Sequence, residues 1–383
     1  MNIVLAVDSF KGSCSAIEVT EHLETGIRRV LPQATVQKIP VADGGEGTVQ
    51  ALLYAVGGSL RKKEVTGPLG EKVVAEYGVL DNGVAVLEMA SASGLPLVAP
   101  EDRNPLVATT YGTGELIRQV LDEGYRKLVI GIGGSATNDA GVGMAQALGA
   151  SFLDAQGQEL PYGGGVLDRL SQVDLSKLDP RLKECEITVA CDVTNPLCGP
   201  TGASHIYGPQ KGATLEMVLQ LDHNLGHFAD VVEGALGLSF REIPGAGAAG
   251  GLGAGLMAFC GAQVKSGIDT VLDAVQLEQR IAQADLVITG EGRIDGQSVF
   301  GKVPVGVAQR SKQVKNLPVV AVVGGIGPGA EATYDYGIDA ILSTVNGPMS
   351  LQQAMEQAPQ LLAEAGERVI RLIRCGAAIK ETL

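Results

Sequence analysis

Seven short apolar runs rich in β-branched residues, at 3–7, 36–41, 128–132, 187–191, 286–289, 319–323 and 340–345, set the rhythm of this chain. A glycine- or acid-rich turn and then a stretch of helical spacing typically follow. That alternation predicts a parallel α/β fold. Leu116, Ile117, Val120 and Leu121 share one helical face within 114–123, and the same spacing returns over 361–373.

Residues 60–90 break the rhythm. A Gly67-Pro68-Leu69-Gly70 turn and an Asp81-Asn82-Gly83 turn separate apolar stretches at Val65, Val73–Tyr77 and Val84–Leu87, which reads as antiparallel hairpins. The first ~58 residues supply only two strands, too few for a stable sheet. The expectation is therefore a doubly wound, flavodoxin/Rossmann-like parallel-sheet domain built from 1–60 plus 283–383. A second α/β domain over 61–282 would be inserted in it, with an active site in the cleft between them. A length of 383 residues, 45% of them hydrophobic, suits two domains.

Composition excludes several partners. A net charge of −14, no Trp and only 4% aromatics argue against nucleic acid, whose phosphates repel an acidic surface and whose bases need stacking rings. Cys14, Cys185, Cys191, Cys198, Cys260 and Cys375 form no CxxC pair, which fits reduced thiols in the cytoplasm better than a disulfide framework or a zinc site. Neither a signal-length apolar core nor a membrane span is visible. A monomer or homodimer is expected. Glycine is the outlier: 53 of 383 residues, about twice the usual share, implies many close backbone approaches.

Ligands of open parallel sheets bind beyond the carboxyl ends of the strands. Five strand ends here carry chemistry: Asp8-Ser9-Phe10-Lys11-Gly12, Asp43-Gly44-Gly45-Glu46-Gly47, Gly133-Gly134-Ser135-Ala136-Thr137-Asn138-Asp139, Asp192-Val193-Thr194-Asn195 and Gly290-Glu291-Gly292-Arg293-Ile294-Asp295. Each alone reads equally as turn and cap chemistry. Together they suggest cation ligands, anion-binding backbone and a small charged substrate. Gly133, Gly134, Thr137 and Asn138 lead from a strand into a helix expected at ~140–150, as a phosphate site requires. Asp43 and Glu46 are either helix caps or magnesium ligands.

Two motifs mislead. Gly245-Ala-Gly247-Ala-Ala-Gly250 matches the dinucleotide pattern GxGxxG, but Phe240–Pro244 before it is a poor strand and the glycines continue through Gly251, Gly253 and Gly255. A backbone wall, or a helix start presenting Gly250 and Gly251 to a ligand, is the better reading. Gly296–Lys302 falls one residue short of a P-loop, because Val303 stands where Ser or Thr must hold magnesium; Lys302 could still meet a phosphate.

The stretches DSFKGS (8–13), ADGGEGT (42–48), TTYGTGELI (109–117), GIGGSATNDAG (131–141), ACDVTNPL (190–197), GPQKGAT (208–214), GAAGGLGAGL (247–256) and VITGEGRIDGQS (287–298) together resemble the bacterial type I glycerate kinases. The likeness spans nearly the whole chain. Ala140, where glycine is usual, and Cys14, where leucine is common, are small departures. The resemblance implies a two-domain enzyme that phosphorylates D-glycerate with ATP and Mg²⁺, leaning toward 2-phosphoglycerate.

Phosphoryl transfer needs positioning, charge neutralisation and a proton acceptor. Asp192 is the first choice for the acceptor, with Asp295 its rival and Lys11 a further catalytic candidate; Asp192 reads otherwise as an Asx-turn acid. Asp8, Ser9, Ser135 and Arg293 are expected at the substrate, Arg293 as the planar clamp on its carboxylate. Lys211 joins the phosphate group, while Asp43, Glu46 and Glu291 are the metal candidates. The competing functions are an NAD-dependent hydroxy-acid dehydrogenase and a non-catalytic sensor of a small acid or nucleotide.

Overall fold

The structure, a computed structural model, describes residues 1–380 and divides into two compact units. The first comprises Met1–Asp43, Gln50–Gly57 and the chain from Ile268 onward; the second comprises Gly44–Val49 and Gly58–Gly267. Residues 268–282 thus belong to the first unit, not to the stretch 61–282 expected to be inserted. Their helix, Gly267–Ala274, buries Ile268, Val271 and Leu272, and Ile268 lies directly against Gly306 of the helix Val303–Lys315.

The first unit is built on a five-stranded sheet in the order Thr35–Pro40, Asn2–Val7, Leu286–Ile294, Val319–Ile326, Ala340–Ser343, every neighbour parallel. Numbered along the chain that is 2-1-3-4-5, the flavodoxin-like doubly wound order. Ile3, Leu5 and Val7 share a core with Val19, Leu23 and Ile27 of the helix Ala16–Val30 and Leu362, Val369 and Ile370 of the helix Ala358–Lys380. Val4 and Ala6 on the opposite face are equally buried, so both faces are covered, as parallel sheets require. Ser15 and Glu18 form a capping box that starts the first helix.

The second unit holds a six-stranded mixed sheet in the order Gln263–Lys265, Glu186–Ala190, Lys127–Gly131, Val84–Glu88, Lys72–Leu80, Gly58–Thr66. The first four strands are mutually parallel; the last two pair antiparallel, as the hairpin reading of 60–90 expected. Its core gathers Tyr77, Leu87, Leu116, Ile130 and Val189, with Phe152 and Phe228 both set edge-on to Phe259.

The glycine-rich stretch after Pro244 is not a dinucleotide fold. No strand precedes it, and Ala249, Gly250 and Gly251 take left-handed conformations that break the helix Ala248–Cys260 near its start. A side chain at Gly250 would overlap the Thr137 carbonyl, and one at Gly255 the Ala140 carbonyl. These glycines let one backbone lie on another.

Candidate active site

In a doubly wound sheet the crevice opens where the strand order reverses, here between Asn2–Val7 and Leu286–Ile294. Val7 pairs with Gly290, so Asp8, just past the end of its strand, lies beside Glu291, beyond which the strand Leu286–Ile294 runs on against Val319–Ile326. The Asp8 amide donates to the Gly290 carbonyl at 2.9 Å. Burial, reinforced by the negative charge of Asp43, pushes the Asp8 carboxyl up to about 7. Burial does the same to Glu291, also to about 7, against the pull of a Ser298 hydroxyl that donates to Oε1 at 2.9 Å. The Ser9 amide and hydroxyl both donate to Asp8 Oδ1, at 2.6 and 3.2 Å.

Lys302, at the start of the helix Val303–Lys315, places Nζ 3.0 Å from Asp43 Oδ2. Burial works against its charge, but Asp43, Glu291 and Asp8 outweigh it and hold its pKa above the ordinary lysine value. Two carboxyls poised near neutrality, a third paired to a cation and a serine hydroxyl therefore share one strand-end cluster. Such perturbed groups in one place mark functional sites more often than scaffolding.

Arg293 is two-thirds exposed, with Nε 3.4 Å from Asp295 Oδ2, while Asp295 Oδ1 accepts the Gln297 amide at 3.0 Å. Lys11 is exposed on the turn after Phe10. Of the metal candidates, Asp43 and Glu291 lie in the first unit and Glu46 is an exposed residue of the second. Among the described residues, no three His, Cys, Asp or Glu side chains are grouped to hold a metal ion.

In the second unit the chain leaves the strand Lys127–Gly131 through exposed Gly133 and Gly134 and then dives inward, with Ser135 only 7% exposed and Thr137, Asn138 and Asp139 fully buried. Asp139 pins the loop, accepting from the Thr110 amide and hydroxyl at 2.8 Å each and from the Gly141 and Gly143 amides at 3.3 Å. Thr137 Oγ1 and Asn138 Oδ1 have no protein partner among the described residues. Lys211, expected among the phosphate contacts, is buried inside this unit. It is 1% exposed, its Nζ donates to the Thr137 carbonyl at 2.6 Å, and burial drops its pKa to about 7 although Asp139 opposes this. Gly250 and Gly251 are buried behind the same loop, as its backing.

Asp192 ends the strand Glu186–Ala190 region with its carboxylate engaged. Oδ1 accepts the Gly267 amide at 2.8 Å and the Ser266 hydroxyl at 3.2 Å, which caps the helix Gly267–Ala274. That carboxylate oxygen is already engaged by two donors of this chain. Asp192→Asn is therefore expected to keep kcat within about tenfold, below the 10²–10⁴-fold of a lost general base. Steady-state kinetics decides, and a larger loss supports Asp192 as the proton acceptor.

Sequence reasoning passed over Glu88 and Ser298, and gave Asp139 no role apart from its place in the strand-end stretch. Glu88 accepts the Val49 amide at 2.8 Å, and burial raises its pKa. Its signal, an acid closing the run Val84–Leu87, was present but hidden inside a hairpin pattern.

The sequence profile of the glycerate kinase family matches residues 3–374. The chain belongs to that family. A glycerate kinase of Bacillus subtilis strain 168 is 52% identical, covering 100% of this chain and 99% of its own, and a glycerate 2-kinase of Escherichia coli K12 is 51% identical, covering 98% and 99%. A crystal structure assigned to glycerate kinase 2 of Salmonella typhimurium LT2 superposes with a TM-score of 0.88 at 48% identity, covering 99% of both chains. As a member of the glycerate kinase family, the chain is an ATP-dependent phosphotransferase acting on an alcohol group. Among the described residues no helix is long and apolar enough to cross a membrane.

Proposed function

We propose that this chain transfers the γ-phosphoryl group of Mg·ATP to the 2-hydroxyl of D-glycerate, giving 2-phosphoglycerate. The position on the acceptor is supported by the name of the 51%-identical glycerate 2-kinase. The observation that carries the chemistry is the half-buried Asp8 beside the buried Glu291 at the strand-order reversal, each carboxyl pushed up to about 7. A kinase must take a proton from the attacking hydroxyl, and the group best suited to that task titrates near working pH.

In this reading Asp8 and Ser9 meet the substrate hydroxyl, and Arg293, held by Asp295, grips the glycerate carboxylate. Lys11 and Lys302 offset phosphoryl charge. The loop Gly133–Asn138, with Ser135, receives the ATP phosphates. Magnesium favours one or two carboxylates plus phosphate oxygens over a protein-only cage, so the donor set here suits a metal carried in by the nucleotide. When bound it neutralises phosphate charge. The six unpaired thiols support a reducing compartment, the cytoplasm.

Phosphorus NMR of the product formed from Mg·ATP and D-glycerate tests the proposal. A 2-phosphoglycerate resonance is expected; 3-phosphoglycerate, or ATP turnover indifferent to glycerate, refutes it. Arg293→Lys is expected to raise the glycerate KM about tenfold with little change in the ATP KM, since an ammonium cannot form the forked contact. An unaltered glycerate KM removes Arg293 from the substrate.

A further inference from the structure

We propose that Lys211 is a positioning residue for the phosphate loop: by holding the Thr137 carbonyl it fixes the peptide between Thr137 and Asn138, and through it the exposed turn at Gly133 and Gly134. This rests on assigning that loop to the ATP phosphates.

The geometry is a clamp. Lys211 closes the short turn Pro209–Lys211 and reaches inward until Nζ lies 2.6 Å from the Thr137 oxygen. From another side Gly250 covers the same peptide so closely that a side chain there would stand 2.6 Å from Asn138 Cα and overlap the Thr137 oxygen. In a planar trans peptide the carbonyl and the following amide point in opposite directions, so holding the Thr137 oxygen also sets the Asn138 amide. Beyond the Asp139 contacts, side chains add little at this peptide: among the described residues Thr137 Oγ1 and Asn138 Oδ1 lack protein partners, and Asn138 Nδ2 is tied to Ser204 Oγ at 3.0 Å. A lysine amine brought to 1% exposure for the sake of one carbonyl is a costly way to fill space. Methionine would fill it without that cost, so the bond itself is what the position requires.

The test compares Lys211→Met with Lys211→Gln, whose amide can still donate, by steady-state kinetics. Hydrogen exchange over 133–139 is followed in parallel, with and without a non-hydrolysable ATP analogue. The expected result is an ATP KM raised about tenfold or more in the methionine variant and about threefold or less in the glutamine variant, with the glycerate KM within about twofold in both. An unchanged ATP KM in folded Lys211→Met overturns the inference, as does a parallel rise in both KM values. Should Lys211→Met not fold, Lys211→Gln carries the comparison: selective retention of the ATP KM supports the inference, and an equal rise for both substrates overturns it. Loss of analogue protection over 133–139 in the parent protein instead overturns the loop assignment beneath it.

Discussion

Glu291→Gln is expected to lower kcat by about 10²- to 10⁴-fold while making the protein more stable at pH 8 than its parent. Both halves come from one cause. Burial raises the Glu291 pKa from 4.5 to about 7, so the unfolded chain ionises at this position well before the folded one. The associated stability is fully present below pH 4.5, declines as pH rises toward 7, and is absent above it. Glutamine keeps the shape and an oxygen for the Ser298 hydroxyl but carries no charge to bury. The gain at pH 8 is on the order of 3 kcal/mol. Urea unfolding at pH 4 and pH 8 measures it, with the difference between variant and parent expected only at the higher pH. Asp8→Asn moves in the same direction, from an ordinary value of 3.8. Parent activity should fall as pH drops below about 7, where these carboxyls take up protons. If Glu291→Gln kept the parent kcat, the pair would lose its role as proton acceptor.

What was legible in the sequence is what depends on local pattern. Apolar runs before Asp8 and Asp43 announced strand ends, and parallel strands bring their ends to one edge; the run before Glu291 did not end its strand, which continues to Ile294 by pairing with Val319–Ile326. Ala140 stood out where glycine is usual in the resembled family, and its φ of 53° supplies the reason: the position is left-handed. Contacts distant in sequence were not legible. The bond from Asp192 to Gly267 joins residues 75 apart, and nothing near Asp192 distinguishes a proton acceptor from a helix cap. Lys302 was visible only as the end of a failed P-loop, because its pairing with Asp43 spans 259 positions. Lys211 looked like a phosphate contact for the same reason. A lysine's sequence neighbours do not say whether it faces solvent or a buried carbonyl.

Gly250→Ala is expected to destabilise the second unit by more than about 4 kcal/mol, a loss on the order of 10 °C in Tm or failure to accumulate as folded protein. Two penalties combine. Its φ of 69° costs an alanine about 1–2 kcal/mol. The larger penalty is steric: the new methyl would overlap the Thr137 carbonyl and crowd Asn138 Cα, and both obstacles are backbone, which cannot rotate aside. Relief would require the loop 137–141 to move off the helix Ala248–Cys260. That movement would break the Ala140 amide bond to the Gly250 carbonyl, 3.0 Å, and draw Thr137 from Lys211. Gly134→Ala is the control that separates conformation from packing. Gly134 is also left-handed, at φ 74°, but a methyl there meets only Ala90 Cβ, at an ordinary 3.4 Å. That variant should fold with a Tm a few degrees lower, while its ATP KM rises about tenfold because the exposed turn is reshaped. Thermal melts of the two side by side decide the matter. A Gly250→Ala protein melting as close to the parent as Gly134→Ala does would mean that the loop is not held against a rigid backbone wall, and the support assigned to Gly250, Gly251 and Lys211 would fall with it.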